Sequence, residues 1–300
     1  MSRSATRSSA PRGRYAALGA VLVLFVVGLA ELALRWRESA ARGSPHPLLG
    51  VREYRGEPFE RERPERGVRI VVVGDDAAFG AGLPEEHAWP RLLEGLFARD
   101  GRASRVQVVN AAERGATSAR VRELVESHVL SVQPTWLVIA LGASDAARAL
   151  EATRERPWWS SSALARALCE QPAPVGLSHD EASELVRRTR FDFGVELARV
   201  VESAWDRRCY VAVVQQPWIR PSERDVRATS TLVEPLELAQ RVHAALCEEA
   251  AHVARAHDVA LIDARDALPN AAFDAQGQLG LSGARALAQA VYDELRKRIP

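Results

Sequence analysis

Val71-Val72-Val73-Gly74-Asp75-Asp76-Ala77-Ala78-Phe79-Gly80-Ala81-Gly82 is the stretch on which the fold turns. Its β-branched run carries no polar alternation, so it reads as a strand buried on both faces, and it runs straight into a glycine-rich turn. Strands of that kind belong to parallel sheets covered by helices on each side.

The pattern repeats along the chain. Short apolar runs at Arg69 to Val73, Arg105 to Val109, Trp136 to Leu141, Cys209 to Val214 and Val259 to Ile262 are separated by helical periodicity near Trp89 to Arg99, Ser118 to Val132, Glu181 to Asp206 and Val233 to His257. A last helical pattern covers Gly283 to Arg298. The order predicts a three-layer α/β/α sandwich with a five-stranded parallel sheet, flavodoxin-like in its alternation. Sites in such sheets form beyond the carboxyl ends of the strands. Asp76 follows the first strand, Asn110 to Ser118 the second, and Gly142 to Asp145 the third.

These three loops carry a family resemblance. The Gly74-Asp75-Asp76 turn resembles block I of the SGNH (GDSL-type) esterases, where Gly-Asp-Ser supplies the nucleophile; here Asp76 holds the serine position. Asn110-Ala111-Ala112-Glu113-Arg114-Gly115 is similar to block II, and Gly115 matches the glycine whose N–H serves the oxyanion hole. Gly142-Ala143-Ser144-Asp145 is similar to block III, Gly-x-Asn-Asp, with Ser144 at the position of the oxyanion asparagine. Aligned on Gly283, the block V base histidine falls on Gln278, with Ala275 at the aspartate position and Asp274 beside it. No histidine follows His257.

The chemistry of these exchanges points one way. Attack by a carboxylate on an ordinary ester gives a mixed anhydride uphill of the ester, and its charge opposes the nearby oxyanion. With nucleophile, base and oxyanion asparagine all replaced, the resemblance implies a domain that has lost serine-esterase chemistry and serves binding or scaffolding. An active acyl or carbohydrate O-acetyl esterase with a non-standard site is the first alternative, built on His87 and Ser118. The blander assignments make His87 a loop histidine and Ser118 a helix N-cap. A second alternative places a divalent cation among Asp75, Asp76, Asp145, Ser144 and Gln278, although Asp76 can equally accept N–H bonds from the former oxyanion hole. Trp158-Trp159 is a candidate carbohydrate-stacking platform. No cofactor is implied.

With 300 residues and a net charge of only +1, the chain can bury one substantial core, and nucleic-acid binding gets no support. Cys169, Cys209 and Cys247 lack metal-ligand spacing and read as buried small hydrophobes or one disulfide pair.

The N-terminal segment sets the compartment. Arg3, Arg7, Arg12 and Arg14 precede an apolar run from Tyr15 to Leu34, interrupted by Glu31 and followed by Arg35-Trp36-Arg37. The expected organisation is a basic cytoplasmic stretch 1–14, a transmembrane signal anchor 15–34, a linker 35–66 and a domain 67–300 outside the cytoplasm, periplasmic or at the cell surface. Cleavage near Gly28-Leu29-Ala30 is the competing possibility. Expected partners are the membrane and a cell-envelope glycan, lipid or protein.

Overall fold

The computed structural model describes residues 12–40, 45–63, 65, 67–102, 106–154, 161–168, 175–216, 232–265, 273 and 279–299, without the side chains of 12–21, 38–40 and 166–168. They divide into two compact units, Met1–Gly43 with Glu155–Ala173, and Ser44–Arg154 with Pro174–Pro300.

The larger unit is the α/β domain. Its elements are β1 (Val68–Gly74), α2 (Asp76–Phe79), α3 (Trp89–Phe97), β2 (Val106–Asn110), α4 (Ser118–Ser127), β3 (Trp136–Leu141) and α5 (Ala143–Glu151). After these come β4 (Leu177–Ser178), α7 (His179–Asp206), β5 (Tyr210–Gln215), β6 (Leu232–Val233), α8 (Pro235–Ala256), β7 (Ala260–Asp263) and α9 (Leu281–Leu295). The smaller unit contributes α1 (Arg12–Ala40) and α6 (Ala163–Leu168).

Five parallel strands pair in the order β2-β1-β3-β5-β7, with β4 and β6 forming a small antiparallel pair. This is the flavodoxin-like winding anticipated from the sequence, and its order reverses between β1 and β3. Each strand feeds two cores. Val71, Val73, Leu137, Ile139, Val211 and Val213 pack with α4, α5, α7 and α8, while Ile70, Val72, Val138, Ala140, Ala212 and Val214 pack with α3 and α9. Burial on both faces is why these runs show no polar alternation.

Gly74 closes β1 where it must touch its neighbour. A Cβ there would lie 2.2 Å from the Ala140 carbonyl oxygen of β3. Only glycine permits the two strand ends to approach so closely at the switch point.

The segment expected to be a linker is part of this domain from residue 45 on. Leu49 and Val51 are fully buried, and Arg55 donates to the carbonyls of Phe79, Gly80 and Leu83. Arg69, only 1% exposed, donates to the carbonyls of Glu60, Arg61, Glu62 and Val132 and to Gln107 Oε1. Guanidinium-to-carbonyl bonds hold the irregular chain in place, and such bonds leave no periodic trace in a sequence. Cys209 and Cys247 are buried free thiols; Cys169 lies outside the described residues.

In the smaller unit, α1 covers 29 residues. Among the described residues no helix is long and apolar enough to cross a membrane, and the side chains described on α1 begin at Leu22. Residues 22–29 are exposed on every face.

Candidate active site

The site is assembled at the switch point from the turns after β1, β2 and β3. Asp75 caps α2 and is fully buried. Its carboxylate accepts four bonds, from the N–H groups of Ala77 (3.3 Å), Ala143 (2.9 Å) and Ser144 (3.3 Å) and from Gln216 Nε2 (3.2 Å). It therefore ties the β1 turn to the first turn of α5 and to the end of β5.

Asp76, one residue on, points the other way. Its Oδ2 accepts from the Gly115 N–H at 3.2 Å and from the Ser144 hydroxyl at 3.3 Å. Gly115 presents that N–H from a left-handed backbone, φ +66°, a conformation that favours glycine. The Gly115 N–H and the Ser144 hydroxyl, read from the sequence as oxyanion-hole positions, thus both meet the carboxylate of Asp76, which lies between them. Oxyanion holes bind negative charge through preorganised donors, so an internal carboxylate is a natural occupant.

Asp145 takes the place of a helix-end staple. It accepts from Ser118 N at 3.1 Å to each oxygen and from Ser118 Oγ at 2.7 Å, linking α5 to the start of α4. Thr117, not Ser118, occupies the N-cap of α4, so the N-cap assignment for Ser118 is corrected. Its hydroxyl is committed to Asp145, and no hydrogen bond joins it to His87, which sits in a short 3-10 turn before α3. The His87–Ser118 alternative lacks its defining contact. The cation alternative fares no better: among the described residues no cluster of His, Cys, Asp and Glu is arranged to hold a metal ion. The oxygens of Asp75, Asp76 and Asp145 instead accept hydrogen bonds from N–H and O–H donors. Gln278, Asp274, Ala275, Trp158 and Trp159 lie outside the described residues.

Gln216 was not anticipated. It follows β5, where no family block was recognised, and only its distance to Asp75 reveals it. The topology offered one indirect signal, since β5 neighbours β3 and its carboxyl end must open onto the same edge.

Burial pushes Asp75 from its ordinary 3.8 up to about 7; the Ser144 N–H and the Gln216 amide oppose the shift, and the charges of Asp76 and Asp145 add to it. Asp145 is raised as well, chiefly by burial. A carboxyl with a raised folded pKa stabilises most below its unfolded value and loses that contribution as pH rises through about 7. Urea midpoints measured from pH 4 to pH 8 should fall over this window, and Asp75→Asn should flatten the slope while lowering stability at the acid end. Parallel curves for parent and variant would refute the assignment.

The comparisons place the chain in a family. Residues 72–284 match the GDSL-like Lipase/Acylhydrolase family, and the chain belongs to it. Thioesterase 1/protease 1/lysophospholipase L1 of Escherichia coli K12 is 33% identical over 86 residues, 27% of this chain. That match spans only 37% of the relative's length. Among solved structures, a lipase/acylhydrolase from Enterococcus faecalis superimposes with a TM-score of 0.52 at 20% identity, covering 78% of this chain and 97% of its own. A catalytic serine-to-alanine mutant of an acetylxylan esterase from Geobacillus stearothermophilus gives 0.53 at 15% identity, covering 76% and 94%. At these identities the structural likeness speaks for the fold alone.

Proposed function

We propose that this chain is a membrane-anchored, extracytoplasmic member of the family that has lost serine-esterase chemistry and acts by binding or scaffolding at the cell envelope. The observation carrying this reading is the Asp76 carboxylate between the Gly115 N–H and the Ser144 hydroxyl. A substrate carbonyl oxygen would have to displace that carboxylate, and residue 76 itself offers no hydroxyl to attack. Removal of one member of a serine triad costs several orders of magnitude, and the remaining members do not act as a unit. The anchor is supported by the basic N-terminal stretch, the apolar run 15–34 and the Arg35-Trp36-Arg37 flank, which set an N-in orientation.

The test is an assay of the unmodified chain with short-chain aryl esters, an acyl thioester and acetylated xylooligosaccharides, alongside a fluorophosphonate probe. The expected result is hydrolysis at the buffer rate and no covalent label. Saturable turnover with labelling of a serine would overturn the proposal in favour of an active esterase.

A further inference from the structure

The smaller unit contains a contact that neither the fold family nor the anchor alone requires. Glu31 stands inside the apolar run of α1, where a carboxylate is costly unless it is paired. It is paired four times. Its oxygens accept from the Ser162 hydroxyl (2.8 Å) and from the backbone N–H groups of Ala163 (2.9 Å) and Leu164 (2.8 Å), and Arg35 Nε closes the set at 2.7 Å.

The burial pattern of α1 agrees. Within the part of α1 whose side chains are described, only Ala30, Glu31 and Leu34 are half-buried, and all others are exposed. These three share one helical face, one turn before Arg35, Trp36 and Arg37. Opposite them Ala163, at the start of α6, is 1% exposed. Along α1 the contact lies about 6 Å from Arg35, at 1.5 Å per residue. With Arg35 at the headgroups, that separation falls within the roughly 5–10 Å to which interfacial elements sink. The sequence of this excursion also carries Trp158-Trp159, a residue type enriched at that boundary.

We infer that the excursion carrying α6 is a membrane-seated element, locked by Glu31 to the outer end of the anchor helix, with the lipid interface as its partner surface. This rests on the anchored reading of α1. Glu31 is then a docking residue that specifies where the excursion sits, and its charge is tolerated in the apolar run because α6 supplies the donors.

The experiment uses the full chain reconstituted into phosphatidylcholine/phosphatidylglycerol vesicles, with Cys169→Ala and a fluorophore on Leu164→Cys. Lipids carrying a spin label near the headgroup are expected to quench the probe about twofold more than aqueous iodide does, as for a segment seated in the interface. In a Glu31→Ala background the vesicles should still float the protein, while that preference reverses. A parent that floats but is quenched by iodide alone would overturn the docking inference and leave the anchor intact. A parent that does not float with vesicles would overturn the anchor and the inference with it. Retention of lipid quenching in Glu31→Ala would remove Glu31 from the lock.

Discussion

Combining Asp76→Ser, Ser144→Asn and Gln278→His is expected to create a chain that a fluorophosphonate labels, whereas Asp76→Ser alone stays unlabelled. The single change places a hydroxyl at the β1 turn and frees the Gly115 N–H, but it provides no base, and serine without a base is a weak nucleophile. Asparagine at 144 restores a longer donor beside Gly115, and histidine at 278 tests the base position to which the sequence alignment points. The gain should be roughly three orders of magnitude or more in labelling rate over the single variant, as expected for residues that act as a unit. Labelling by Asp76→Ser alone at the same rate would show that a base already exists elsewhere, and would revive an active-site reading.

The same series carries a check that does not need activity. The charge of Asp76 is one of the causes holding Asp75 high, after burial. Asp76→Ser should therefore bring the Asp75 titration down, which carboxyl NMR chemical shifts against pH would reveal. An unmoved Asp75 would mean that the two carboxylates do not sense each other.

The architecture, and the nearness of Asp76, Gly115 and Ser144, were legible because both rest on strong local signals. Strands buried on two faces cannot hide, and β3 matches its sequence-based limits, Trp136 and Leu141. The others shift by one residue, since runs of valine say where a strand lies but not where its last bond falls. Asp76, Gly115 and Ser144 came together because each follows a different strand at one sheet edge. What escaped was held by contacts without periodicity. The helices α2 and α5, of four and nine residues, are too short to establish a 3.6-residue pattern. Ser118 looked like a helix cap because serine favours that place, yet its hydroxyl goes to Asp145 across the cleft. Residues 45–63 looked like a spacer because arginine, glutamate and proline dominate, and nothing in that composition shows that Arg69 waits inside the sheet to bind them.

Arg69 supplies the second large effect. Its guanidinium spreads five donors over four main-chain carbonyls and one side-chain amide, and its Cζ lies 5.3 Å from the Phe59 ring centre. No carboxylate is among these acceptors. The desolvation cost of the charge is offset only by this full set of charge-assisted bonds, so partial replacement fails. Arg69→Met keeps the apolar stem but leaves the interior Val132 carbonyl without this donor and releases the 60–62 carbonyls to water, loosening the lead-in, to which the buried Leu49 and Val51 belong. The expected loss is about 3 kcal/mol, set by stranded acceptors and lost packing. Arg69→Lys should lose nearly as much, because one ammonium cannot span acceptors that a planar fork reaches. Arg63→Ala removes one exposed bond to Thr135 and should change stability by less than about 1 kcal/mol. Urea titrations with limited proteolysis of the 52–63 segment read both effects. An Arg69→Met chain within about 1 kcal/mol of the parent, and equally resistant to protease, would show that burial of the lead-in does not depend on this arginine.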